Sequence, residues 1–324
     1  RYLEENEMDK IASYPYQRDL HPYHAKDGKV KALETIKFSI MTHHGCWGEC
    51  NYCAIAAHQG RTIRTRSEEN ILSEAKHFTT LKDFKGIISD VGGPTANMYG
   101  YECKKKMNLG TCIDNKRCVD AHRLCRTMKV DHSRNIKLLK DIRAIPKVKK
   151  AFIASGIRYD FIAADKNHGK EYLKEIIDHH ISGQMKIAPE HTSDEVLHHM
   201  GKPGKQSLIE FKKMFDDLNK ESGKKQFLTY HLIAAHPGCK ESHMHELKQF
   251  TTHELKINPE QAQVFTPTPG TYSAVMYYTE LDPFTKKKIF VEKDTLRKER
   301  QKEIVVAKKS FCKTKQNSNS GMQG

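Results

Sequence analysis

Three cysteines crowd one short loop, His43-His44-Gly45-Cys46-Trp47-Gly48-Glu49-Cys50-Asn51-Tyr52-Cys53. Their spacing is C-x3-C-x2-C. Thiolates so placed can wrap one corner of a cubane iron–sulfur cluster, whose irons are held by cysteine sulfur. A [4Fe–4S] cluster normally takes four cysteines, so three leave one iron open. An open iron lets a cluster bind a small molecule instead of only passing electrons. A zinc loop is the competing reading, but zinc sites usually pair one C-x2-4-C with a second pair far along the chain. A ferredoxin-type carrier needs a fully ligated cluster, and no fourth cysteine lies near Cys53 in sequence.

A second group, Cys103, Cys112, Cys118 and Cys125, falls in one polar insertion with spacings x8, x5 and x6 and with His122 between the last two. These spacings match no standard zinc pattern. Exposed free thiols are reactive, so four of them in a loop of low apolar content need a reason. An auxiliary iron–sulfur cluster or a structural zinc would staple the insertion, and thiols packed beneath the loop are the alternative. Cys239 reads as a buried thiol near the pocket, and Cys312 as incidental to the tail.

Strands and helices must alternate to carry these loops. β-rich runs occur at 36–42, 86–91, 151–155, 185–188, 227–235 and 261–265. Helical patterns fall between them: one opened by Ser67, one by Ser133, one over 171–180, a short one capped by Ser193, one over 207–220 with Leu208, Phe211, Phe215 and Leu218 along one face, and one over 244–255. Such alternation predicts a parallel sheet with right-handed crossovers. Six units predict an α/β fold, a partial (β/α)6 TIM-like barrel with a Cys-rich insertion after strand two. Chemistry in such folds sits at the C-terminal ends of the strands, where the cysteines and the Gly/Pro turns fall.

The chain has 324 residues, 37% hydrophobic and 29% charged, with a net charge of +15. That charge favours an anionic partner such as nucleic acid, with a solvated Lys-rich surface as the plainer reading. Nine unevenly placed cysteines in a chain of this length exclude a small disulfide scaffold and indicate metal or redox chemistry in a reducing, cytoplasmic setting. No run approaches the roughly 18–20 apolar residues of a membrane span. Opening on Arg1, the chain reads as a fragment. We divide it into an N-terminal extension (1–34), a barrel (35–290) containing the insertion (99–130), and a basic helix with a disordered tail (291–324).

The C-x3-C-x2-C loop, with an aromatic residue before its third cysteine, resembles the motif of the radical S-adenosylmethionine (SAM) superfamily. The flanking text, from Phe38 through Arg61, resembles the YgiQ family of that superfamily, and the resemblance runs from about Tyr14 to about Phe290. It implies that Cys46, Cys50 and Cys53 ligate three irons of a [4Fe–4S] cluster and that SAM chelates the fourth. Reductive cleavage of SAM would then give methionine and a 5′-deoxyadenosyl radical. Tyr52 would lie near the adenine. Gly92-Gly93-Pro94 matches the glycine-rich turn that receives the SAM amino group, with Pro94 where Glu is common. Ser155 and Arg158, at the third strand's end, would hold a hydroxyl and the carboxylate of SAM. Glu190 would accept from the ribose. The turn Leu232 to Cys239 resembles an adenine-contacting motif, and Phe265 to Tyr272 would shape the substrate side. Taken alone, Gly92-Gly93-Pro94 also reads as only a turn, the Ser155 segment as an ordinary strand-end turn with an exposed Arg, and Glu190 as a surface residue.

The function so read is a radical SAM enzyme of unknown substrate, with RNA or a ribosomal component suggested by the charge and with catalytic side chains unassigned. Flavodoxin or ferredoxin would supply the electron. A non-catalytic, zinc-dependent nucleic-acid-binding protein is the alternative.

Overall fold

The β-rich runs become short strands in the computed structural model, which describes residues 2–306 except 102, 110, 111, 113–117 and 120–123. They are β1 Ser39–Met41, β2 His43–His44, β3 Arg64–Thr65, β4 Ile87–Ile88, β5 Asp90–Gly92, β6 Lys150–Ala151, β7 Gln184–Glu190, β8 Phe227–Ala234 and β9 Gln263–Val264. β1 lies parallel to β5, β4 to β6, β7 to β8 and β8 to β9. Backbone bonds join these pairs: Val91 N–H donates to Phe152 O (2.8 Å), and Ile157 bridges Ile187 in parallel. Parallel neighbours thus follow chain order, with helices between them, and the fold is α/β.

Amphipathic helices cover this sheet. The Ser67 hydroxyl accepts from Asn70 N–H (3.1 Å) and caps the helix Glu68–Phe78, which buries Ile71, Ala75 and Phe78. The helix Lys205–Glu221 buries Leu208, Phe211, Phe215 and Leu218, the face expected from the 3.6-residue period. These side chains join Ile40, Ile88, Val91, Ile153 and Ile187 in one core cluster. Burying each large apolar side chain contributes roughly 1.5–3 kcal/mol, so the sheet is held by helix faces more than by its short ladders.

Several boundaries differ from the sequence reading. The first strand begins at Ser39, because the helix formers Ala32, Leu33 and Glu34 carry the helix Lys31–Ile36 up to it. Ser193 occupies the N-cap of Asp194–Met200 but its side chain does not cap. That helix is defined at its other end: Gly201 is left-handed (φ 67°), with Lys202 N–H donating to Leu197 O (3.0 Å) in a Schellman turn. The helix Gly169–Glu175 continues as a π turn through Ile176–His180. Helices not anticipated include Glu5–Ala12, Ile55–His58, Tyr159–Ala164 and Tyr272–Thr279. The expected basic helix appears as Thr295–Val305. The expected disordered tail, with Cys312, and His122 of the insertion lie outside the described residues. Among those residues no helix is long and apolar enough to cross a membrane.

Candidate metal and cofactor site

The cysteine loop is tied at both ends. β2 pairs antiparallel with β3, His43 opposite Thr65 and His44 opposite Arg64. Gly45 has φ +84°, and a Cβ there would stand 2.3 Å from Thr62 O, so the turn into Cys46 admits only glycine. Further along, Asn51 N–H donates to Met200 O (2.8 Å) and the Asn51 amide to His199 O (2.7 Å), which pins the loop to the helix Asp194–Met200. Trp47 is buried against Tyr101. Arg61 pairs with the buried Glu49 (2.7 Å).

All three loop thiols are half-buried, and each of the first two meets a donor. Thr95 Oγ1 lies 3.5 Å from Cys46 Sγ, and Gly48 N–H donates to the same sulfur (3.4 Å). Arg158 Nη1 donates to Cys50 Sγ (3.5 Å). Burial raises the Cys46 thiol pKa and pushes the Cys53 thiol up to about 11. Thiols so buried give up their protons only to a cation that replaces them, as coordinating thiols do. Two sulfurs on one zinc, each about 2.3 Å from it, could be no more than about 4.6 Å apart. Among the described residues the one group with all ligand atoms within 4.8 Å is Asp131, Asp165 and His168, not the loop cysteines. Thiolates on separate irons of one cluster would need no such closeness. In the Asp131 group, Asp165 is already satisfied by backbone N–H groups and by His132 Nδ1 (2.8 Å).

The turns of three further strands reach this loop. Gly92-Gly93-Pro94 follows β5, and Thr95 carries that turn to Cys46. Gly93 packs on the fully buried His43: a Cβ would come within 2.6 Å of the ring. Gly93→Ala is therefore expected to cost about 1–3 kcal/mol through overpacking, readable in the urea midpoint. The next turn is held by Asp90, which accepts from Ala154 N–H (2.8 Å), Ser155 N–H (3.1 Å) and the Ser155 hydroxyl. Arg158 is buried and forks onto Asp160, Nε to Oδ1 (2.8 Å) and Nη2 to Oδ2 (2.6 Å), with Phe161 under its guanidinium. At the end of β7, Glu190 is left-handed (φ 68°); it accepts from Tyr52 O–H (2.8 Å) and pairs with His231 Nδ1 (2.7 Å).

The structure thus gathers Tyr52, Gly92, Gly93, Pro94, Ser155, Arg158 and Glu190 around the loop, yet gives the polar ones partners inside the protein. Sequence reasoning missed those partners. Asp160 stands two residues after Arg158, a spacing that could have signalled a pair; Asp90, Thr95 and His231 carried no signal. Cys239 is a packed thiol, 3.7 Å from His191 Nε2 and 3.5 Å from Met244 Sδ. A cleft of about 270 Å³ runs beside the loop, lined by Cys50, Cys53 and Arg61 on one side and Gly270, Thr271 and Tyr272 on the other.

In sequence, residues 40–251 match the family model described as the Radical SAM superfamily. Residues 1–39 match Radical SAM N-terminal, and 260–322 a domain of unknown function, DUF3362. A UPF0313 protein of Fusobacterium nucleatum is 59% identical over 93% of this chain and 53% of its own length. A UPF0313 protein of Clostridium botulinum is 46% identical over 94% of this chain and 46% of its own length. The chain spans about half the length of these curated relatives. Among solved structures, the radical S-adenosylmethionine methyltransferase TsrM of Kitasatospora setae, with cobalamin and a [4Fe–4S] cluster bound, aligns at a TM-score of 0.48 and 12% identity, over 77% of this chain and 41% of that one.

Proposed function

Because the chain belongs to the radical SAM superfamily, we propose that it is the catalytic core of an enzyme that cleaves SAM reductively to start radical chemistry on a substrate. The superfamily's cofactors are a [4Fe–4S] cluster and SAM. We assign the cluster to Cys46, Cys50 and Cys53. The observation that carries this reading is the convergence of three strand-end turns on a loop whose half-buried thiols already face hydrogen-bond donors. When bound, the cluster and SAM supply one-electron reduction and radical initiation, which belong to the cofactors themselves.

The protein's own residues bind, orient and exclude. Arg158, Thr95 and Gly48 N–H direct donors at the sulfurs of Cys50 and Cys46. Gly92 and Gly93 let backbone approach a ligand where a side chain would intrude, while Pro94 fixes the exit of that turn. Ser155 is held by Asp90 beside Gly92. Tyr52 and His231 fix the Glu190 carboxylate, leaving its orientation set before any ligand hydroxyl arrives. The cleft between the loop and Gly270-Thr271-Tyr272 is the way in for substrate.

We read the parallel units as a partial (β/α)6 barrel over 35–290, with the insertion 99–130 after its second strand and a basic helix after it. The finer family assignment, YgiQ, rests on the text around the cysteine loop. The net charge of +15 supports RNA or a ribosomal component as substrate, and flavodoxin or ferredoxin as electron donor fits a cytoplasmic setting. Phosphate contacts would make RNA affinity fall linearly in log–log with salt; binding indifferent to salt would remove RNA from the substrate reading. The activity is tested by anaerobic reconstitution with iron and sulfide, followed by reduction with SAM. Formation of 5′-deoxyadenosine supports the assignment, and a colourless protein that binds only zinc overturns it.

A further inference from the structure

Outside the loop just described, three more thiols meet in one apolar patch. Cys103 and Cys118 are buried and Cys125 is half-buried, all in a cluster with Trp47, Val119 and Met128. A short antiparallel bridge, Val119 to Leu124, and a bond from Cys125 N–H to Cys118 O (2.7 Å) set Cys118 and Cys125 side by side. Thr127 Oγ1 lies 3.2 Å from Cys125 Sγ and 4.0 Å from Cys103 Sγ, so one hydroxyl spans both sulfurs. None of the three is in a disulfide.

Beside Cys118 stands a buried cation. Lys106 is 3% exposed. Its Nζ donates to Arg61 O (2.7 Å). That bond ties Lys106 to the segment that follows the first cysteine loop. Thiolates are what metals bind. As at the first loop, the three sulfurs are not all gathered within 4.8 Å of one another among the described residues, and thiolates on separate irons of one cluster need no such closeness.

We propose that Cys103, Cys118 and Cys125 hold a second iron–sulfur cluster, separate from the one assigned to Cys46, Cys50 and Cys53. It anchors the insertion to the apolar patch that also buries Trp47, beside the first loop.

The test counts iron and sulfide in the full chain after anaerobic reconstitution, with circular dichroism to confirm folding. The Cys46→Ser/Cys50→Ser/Cys53→Ser variant should keep about half of the parent's iron and sulfide and retain thiolate-to-iron absorption. Adding Cys118→Ser to that background should remove most of the remainder. If that triple variant folds but holds no iron and sulfide, the proposal fails. Zinc without sulfide at this site also overturns it. Should the triple variant unfold, Cys50→Ser alone, set beside Cys50→Ser/Cys118→Ser, gives the same comparison. The parent's 5′-deoxyadenosine yield judges the catalytic reading independently, since iron content at the second site does not enter it.

Discussion

Replacing Cys46, Cys50 and Cys53 by alanine should reduce 5′-deoxyadenosine formation to the level seen without protein. Each thiol is half-buried in a loop closed by β2 and β3. Cys239 is 3.7 Å from His191 Nε2 in another apolar cluster, and Cys103, Cys118 and Cys125 belong to the patch around Trp47 that Cys46 borders. The donors should follow in rank. Thr95→Ala removes the hydroxyl 3.5 Å from Cys46 Sγ and leaves all ligands in place. Losing such an outer partner typically costs about 10–100-fold in affinity or activity. The alanine triple variant should therefore fall below Thr95→Ala, with iron content per chain dropping in the same order. Liquid chromatography of the nucleoside product and iron analysis check both. If the triple variant still makes 5′-deoxyadenosine, the cysteines are not the ligands.

The ranking depends on features of unequal visibility in the sequence. Alternating strands and helices were legible because each helix writes its buried face at a 3.6-residue period, as Leu208, Phe211, Phe215 and Leu218 do. The loop was legible because thiols at C-x3-C-x2-C spacing have few other uses. The hairpin that closes the loop was not: two residues per strand, His43–His44 and Arg64–Thr65, are too few to show a period of two. The helix Tyr272–Thr279 hid for a different reason. Its β-branched and aromatic residues favour strands, while Thr271 Oγ1, accepting from Ala274 N–H (3.2 Å), fixes it as a helix. Site residues were located by strand end, but their partners were not. Pairs such as Glu190 with Tyr52, or Asp90 with the Ser155 turn, join residues far apart in sequence, and only the packing of adjacent strand ends makes them neighbours.

Arg158 is the residue whose partner changes its meaning most. Expected to meet a ligand carboxylate, it already forks onto Asp160, with both side chains only 8% exposed. Burial alone would raise the Asp160 carboxyl, yet the adjacent guanidinium outweighs it and holds the group below its ordinary value. Arg158→Ala would strand that carboxylate, and breaking a buried pair from one side costs about 3–5 kcal/mol. Arg158→Ala/Asp160→Ala should recover part of the loss, because no charge is then left unpaired. Arg158→Lys should fall between, keeping the charge but losing the fork. Acid gives the sharper signature. In the parent, the folded-state pKa of Asp160 is depressed, so its stabilisation is present above the unfolded value of 3.8 and is lost as pH falls through the folded value. In Arg158→Ala the same carboxyl, buried without its cation, has a raised folded-state pKa; its penalty is present at neutral pH and disappears as pH falls through that value. The gap between parent and variant in urea unfolding should therefore narrow on acidification. A gap that is the same at neutral and acid pH would mean that Arg158 acts by packing on Phe161 alone. The guanidinium also donates to Cys50 Sγ, and hydrogen bonds to cluster sulfurs help set reduction potential. With the cluster assembled, removing this cation should make the variant's potential more negative than the parent's, while Asp160→Asn, which leaves the guanidinium less neutralised, should move it the other way.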